Sequence, residues 1–169
     1  METWDTIRAR RNVREYDDRP IPADALDRIL EAGRRAPSSM NRQRWDFVVC
    51  TERLDALAGV WRGAGHVARS AATIALVAPA GGDPRSRESI QYDLGQVTMS
   101  MMLAAADLGI GSGHAAVADQ DLARRLLGLP ADRECAWLIA LGYPDGRPLI
   151  PIDHPQRRPL DEVVHRETW

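Results

Sequence analysis

The segment from Ser89 to about Leu108 constrains this chain most. Met99, Met102, Leu103 and Ala106 fall on one face at helical spacing, which predicts a single long amphipathic helix with Ser89 as its N-cap. Apolar runs of strand character lie on both sides of it. Thr73 to Ala78 is rich in β-branched residues and predicts a buried strand. Glu134 to Tyr143 predicts another, and Phe47 to Cys50 a third, shorter one. A long helix set between such runs predicts a mixed helix-and-strand domain with about four or five strands.

The remaining elements are shorter. Thr3 to Ala9 reads as a helix leading into an arginine cluster. Pro22 suits a first helical turn, and Leu26, Ile29, Leu30 and Gly33 then recur at i, i+3, i+4 and i+7. Pro37 ends that helix. Glu52 to about Gly59 and Gly65 to Ser70 read as helices broken by glycines, and Ala80 to Arg87 as a Gly/Pro/charged loop. Gly109, Gly111 and Gly113 predict a turn. Asp119 caps a helix that ends before Gly128 and Pro130. From Pro144 the chain holds five prolines and little periodicity, yet it carries Ile150, Ile152, Leu160, Val163, Val164 and Trp169. An extended tail with that many apolar groups must cover another surface.

Two segments carry chemistry. Arg8, Arg10, Arg11 and Arg14 crowd into ARRNVREY. Guanidinium groups grip phosphate oxygens in bidentate fashion, so three of them within five residues suit a phosphate. Taken alone, the cluster reads equally as a solvated basic face paired with Glu15, Asp17 and Asp18. The second segment, Ala36 to Trp45, offers hydroxyls and amides to a planar, heteroatom-rich ring. Taken alone, it is a helix-terminating loop built from turn-forming residues.

Together these segments resemble the FMN-dependent nitroreductase family. Arg10-Arg11-Asn12-Val13-Arg14 resembles that family's Arg-Arg-Ser-x-Arg, with Asn12 in place of Ser. Ala36-Pro37-Ser38-Ser39-Met40-Asn41-Arg42-Gln43-Arg44-Trp45-Asp46-Phe47 resembles its Ala-Pro-Ser-x-x-Asn-x-Gln-Pro-Trp-x-Phe, with Arg44 in place of Pro. Ala104 to Ser112, Leu141-Gly142-Tyr143-Pro144 and Arg157 to Glu162 complete a set of five motifs in order over nearly the whole chain.

The resemblance implies an α+β, nitroreductase-like fold in one domain, residues 1–169: a central mixed or antiparallel sheet flanked by helices, in an intertwined homodimer. It makes 145–169 an arm that wraps the partner. It implies FMN as cofactor and NAD(P)H as co-substrate. It assigns Arg10, Arg11, Asn12 and Arg14 to the flavin's phosphate and ribityl region. Ser38, Ser39, Met40, Asn41 and Gln43 go to the ribityl chain and ring edge, His114, Ala115 and Ala116 to a loop facing the ring, and Arg157 and Arg158 to a second grip on the phosphate. Arg44 adds a positive charge near this site. His114 stands where relatives often have a carboxylate; it reads as an ordinary loop histidine or as a general acid. No catalytic side chain is required, because the chemistry belongs to the flavin.

The implied reaction is a ping-pong transfer of hydride from NAD(P)H through flavin N5 to a nitroaromatic or quinone-type acceptor. The alternatives are a flavin-dependent oxidase or desaturase, and a flavin- or deazaflavin-binding protein without nicotinamide turnover. The stretch from Thr51 to Glu88 is short, 38 residues, where larger relatives insert a lid, which implies an open pocket.

Other chemistries are excluded. All 22 basic residues are arginine, so lysine Schiff bases and lysine-bearing phosphate loops are out. The net charge of −2 gives no field for nucleic acid. Cys50 and Cys135 stand far apart in apolar runs and predict two buried strand thiols, with no Cys/His or HExxH metal spacing. His66, His154 and His165 are isolated, and Trp45 and Trp137 are expected in the core. The apolar runs are too short to span a bilayer, and a cytoplasmic protein is expected.

Overall fold

The computed structural model describes residues 1–169. Its centre is one four-stranded antiparallel sheet in the order β1-β2-β4-β3. The strands are β1 (Asp46–Cys50), β2 (Ala72–Pro79), β3 (Gly111–Ala116) and β4 (Arg133–Gly142). The helices are α1 (Thr3–Ala9), α2 (Ala23–Arg34), α3 (Leu54–Ala58), α4 (Pro84–Asp107) and α5 (Gln120–Leu127). The fold class is therefore α+β, and the sheet is antiparallel rather than mixed.

Alternation along β2 divides the core between the two faces of the sheet. Ile74, Leu76 and Ala78 point to one face, where Ile29 of α2 and Leu94, Val97 and Met101 of α4 meet them. Ala75 points to the other, toward Leu57, Val60, Val67, Ala123, Leu138 and Ala140. Each such aliphatic side chain, taken fully out of water, contributes about 1.5–3 kcal/mol. The apolar stripe of α2 lies on α4, with Gly33 directly under Met101, where any side chain would collide.

Three local readings are corrected by the structure. The long helix starts at Pro84, not Ser89; Asp83 is its N-cap and accepts a hydrogen bond from Ser86 N at 3.1 Å. Asp-Pro is a good cap and first-turn pair, but Gly81 and Gly82 before it give the stretch a loop's composition. Gly65–Arg69 is a short 3-10 turn rather than an α-helix. The glycines at 111 and 113 form strand β3, not a turn, for a reason found in the site. Asp119 does cap α5, accepting from Leu122 N at 2.8 Å, and Gly128 closes it with φ 66°. Of the two thiols, Cys135 is buried and Cys50 is half-buried.

The tail leaves the sheet at Pro144, paired with Tyr16. It touches the body through Asp145 N to Glu15 O and Ile152 N to Arg8 O, and forms one short turn at Leu160–Glu162. Ile150, Leu160, Val163, Val164 and Trp169 remain exposed within one chain. No helix is long and apolar enough to cross a membrane.

Candidate functional site

A cleft of about 430 Å³ opens beside α4, bounded by the arginine segment, β3 and β4. The arginine segment reaches it because α1 ends at Arg10, whose extended backbone (φ −60°, ψ 125°) releases the chain along β3. Val13 N then donates to Ser112 O at 2.9 Å, and Asn12 bridges Ser112 in parallel. Val13 and Tyr16 point inward and are buried, while Asn12 and Arg14 point out. The Tyr16 hydroxyl donates to Val13 O at 2.7 Å and locks the turn of the chain.

This packing explains the glycines of β3. A Cβ at Gly111 would sit 2.8 Å from the Val13 side chain, and one at Gly113 would sit 2.5 Å from Val13 O. The strand is glycine-rich so that the arginine segment can lie directly on it. Next along β3, His114 is exposed and meets Trp137 edge-on at 6.0 Å. Ala115 is fully buried in the opposite core, and Ala116 is half-buried.

The far wall is α4. Gln91, Gly95, Thr98, Met99 and Met102 line the cleft at i, i+4, i+7, i+8 and i+11, one continuous stripe. Trp137 Nε1 donates to Gln91 Oε1 at 2.8 Å and ties β4 to this helix. Trp137 is thus half-buried, packed against the core on one side and walling the cleft on the other, whereas Trp45 is buried as expected. Gly95 is set in the middle of the helix, and a Cβ there would meet nothing within 4 Å. Sequence reasoning missed this stripe because it weighed the helix for apolar periodicity; the signal was a small residue, Gly95, in an otherwise good helix.

The cations of the site differ in what holds them. Arg10 is half-buried and has one side-chain partner, Asn12 Oδ1 at a long 3.4 Å. Burial, and then the like charge of Arg157, lower its pKa. Arg10 lines the cleft and Arg157, from the far end of the chain, is near enough for its charge to act on it; neither forms an ion pair with a carboxylate. The acids named as possible partners are not used: Asp17 pairs with Arg19, and neither Glu15 nor Asp18 pairs with any arginine. Arg14 is exposed and unpaired. Arg11 instead donates to the tail carbonyls of Arg147 and Pro148. Arg158 is held by Glu162, through its carboxylate at 3.3 Å and its carbonyl at 2.7 Å.

The Ser38–Gln43 loop is elsewhere. None of Ser38, Ser39, Met40, Asn41 or Gln43 lines the cleft. The loop rests on another face of α4, with Ser39 N donating to Asp93 Oδ1 at 3.1 Å and Gln96 Nε2 to Pro37 O at 3.4 Å. Gln43 borders a different groove with Trp45 and Phe47. Within one chain the expected site residues thus form two groups separated by α4. Arg44 points inward: its guanidinium donates to Ser89 Oγ at 2.9 Å and lies 3.7 Å from Asp93. It is part of an internal ion pair rather than a free charge at the cleft.

A model of the Nitroreductase family matches this chain over residues 7–62 and 54–143. A protein of Archaeoglobus fulgidus, provisionally named NADH dehydrogenase/NAD(P)H nitroreductase, is 31% identical over 175 residues, covering 96% of each chain. A Thermus thermophilus protein named NADH dehydrogenase is 29% identical over 194 residues, covering 92% of this chain and 91% of its own. Among solved structures, a nitroreductase family protein from Clostridium difficile superposes with a TM-score of 0.83 at 26% identity, covering 97% of each chain.

Proposed function

The chain belongs to the nitroreductase family, and from that premise we propose an FMN-dependent oxidoreductase that takes electrons from NAD(P)H and passes them, by a ping-pong sequence, to a nitroaromatic or quinone-type acceptor. FMN, when bound, would supply the redox chemistry. The side chains supply binding and shape.

The observation that carries this reading is Arg10, a half-buried guanidinium that lines the cleft and has no carboxylate partner. An unneutralised guanidinium on a cleft wall is an anion site, to which the charge of Arg157 adds, and a terminal phosphate is the part of FMN that fits it. The rest of the cleft fits the remainder of the molecule. Its 430 Å³ lies in the range of small-molecule sites. Gly95 leaves open space against α4, Met99 and Met102 give a soft apolar surface, and Trp137 walls one end. Asn12 and Gln91 offer amides at the rim, although Gln91 Oε1 already accepts from Trp137.

In this reading Arg10, Arg157 and the exposed Arg14 would hold the phosphate. Arg11 and Arg158 serve differently: Arg11 fastens the tail to the body, and Arg158 stiffens the tail's own turn. The glycines of β3 let the arginine segment lie directly on the strand and so bring Arg10 and Asn12 to the cleft. His114 borders the cleft beside Trp137, where a nicotinamide or acceptor has room to stack.

The separation of the two groups by α4 supports a homodimer. A second copy would bring its Ser38–Gln43 loop to the first copy's cleft. The uncovered apolar groups of the tail, from Ile150 to Trp169, would lie on that partner. The whole of 1–169 then works as one domain, with 145–169 as the arm. Subunit mixing tests this. Arg10→Ala and Asn41→Ala proteins, each weakened, are co-refolded or co-expressed. A composite site predicts that the mixture regains activity, since a heterodimer holds one site with both lesions and one with neither. No gain over the parents would refute the shared site.

A further inference from the structure

Arg44 stands where the related motif has proline, and its surroundings give it a task. The side chain is mostly buried, with 18% of its surface exposed, and Asp93 opposite it is almost fully buried at 3%. Arg44 Nη1 donates to Ser86 Oγ at 3.3 Å, and Nη2 to Ser89 Oγ at 2.9 Å, both on the first turns of α4. Asp93 Oδ1 accepts from the backbone N–H of Ser39. The bond is 3.1 Å long and links α4 directly to the Ser38–Gln43 loop.

As a source of stability this pair is poor. Its charges are 3.7 Å apart, and both Arg44 Nε and Asp93 Oδ2 are buried without a hydrogen-bond partner. A buried pair so loosely satisfied is no better for stability than apolar residues of the same size. The loop it touches, by contrast, needs holding. Met40, Asn41 and Gln43 all have left-handed backbones, with φ of 54°, 53° and 48°. Asn tolerates that region; Met and Gln adopt it only when their surroundings impose it. Inside the loop, Ser38 Oγ accepts from Gln43 N at 2.9 Å. Ties to the body come from Asp93 on one side and Gln96 on the other.

We propose that the Asp93–Arg44 pair is a positioning device: it fixes the strained Ser38–Gln43 loop in the shape that contacts flavin. This rests on the reading that the loop is a flavin contact. Arg44 holds the Asp93 carboxylate in place and neutralises it, and Asp93 holds the Ser39 amide. Neither side chain lines the cleft.

The test measures dissociation constants of the flavin-free protein for FMN and for riboflavin, which lacks the phosphate, together with the thermal midpoint. The variant Arg44→Met/Asp93→Leu removes both charges at similar volume. It is expected to keep the midpoint at or above that of the parent while binding both flavins at least tenfold more weakly, by the same factor. In Arg44→Met/Asp93→Asn the amide oxygen still accepts from Ser39 N, so most of the affinity is expected to return. A purely structural pair would instead move the midpoint and leave binding alone. If the leucine variant does not fold, Arg44→Gln carries the same expectation at about threefold. Asn41→Ala, a direct change in the loop, is the reference. Weakened binding there with unchanged binding in the paired variants overturns the positioning role. Unchanged binding in all of them shows that the loop is not a flavin contact, and the proposal falls with that reading.

Discussion

Removing Arg10 should separate binding from stability. In the flavin-free protein its guanidinium has no acid partner, one long hydrogen bond, a half-buried position and a like charge nearby. Arg10→Ala therefore gives up little, and the thermal midpoint should stay where it is or rise slightly. In the complex the same side chain makes charge-assisted hydrogen bonds to phosphate, each contributing about 1.5–3 kcal/mol. At 1.4 kcal/mol per tenfold, the dissociation constant for FMN should rise by roughly 10- to 150-fold. Riboflavin offers no phosphate, so its affinity should change by no more than about threefold, within the ~0.5 kcal/mol scatter of a neutral substitution. Titration of the flavin-free protein by flavin fluorescence quenching, with a thermal melt alongside, measures all three quantities. FMN binding equal to the parent's would refute the phosphate assignment. Equal losses for FMN and riboflavin would show that Arg10 shapes the ring site or the fold instead.

Two further outcomes follow from the packing beneath the arginine segment. Gly113→Ala places a methyl 2.5 Å from Val13 O, a backbone atom that cannot step aside, so β3 and the segment must part. Overpacking of this kind costs about 1–3 kcal/mol, which lowers the midpoint of a chain this long by roughly 2–12 °C, whereas Gly95→Ala, with open space around it, should not lower it at all. His66 is buried beside Gly113 O, to which its Nε2–H donates at 3.3 Å; burial, with Arg14 and His114 adding to it, lowers its pKa. The unfolded chain then takes up a proton that the folded chain refuses, so stability should fall as pH drops below about 6.5. Melts at pH 7.5 and 5.5 should show this loss in the parent and a smaller one in His66→Gln; equal losses would exclude His66 as its source.

Much of the fold was legible because periodicity and caps are local. α1 runs from Thr3 to Ala9 as its pattern predicts, and Asp119 caps α5 through its own side chain. What the sequence hides is tertiary. A glycine-rich strand has no side chains to show a period of two, so β3 reads as a turn until Val13 is seen lying on it. Asp83-Pro84 is masked by Gly81 and Gly82, so the long helix reads as starting at Ser89, a turn late. Trp137 carries an apolar signal that serves a core or a cleft equally well. The arginines look alike in sequence, yet Arg10 stays free, Arg11 takes tail carbonyls and Arg44 turns inward to Asp93. Which of them holds an anion depends on where each acid lies, and spacing along the chain does not encode that.

The most direct test of the account is the visible absorption spectrum of the purified protein, saturated with FMN under anaerobic conditions, before and after NADPH or NADH and again after a quinone. The account predicts flavin absorbance that bleaches with one equivalent of reduced nicotinamide and returns when the quinone is added. A protein that binds no FMN, or whose bound flavin is unchanged by either nicotinamide, would contradict it.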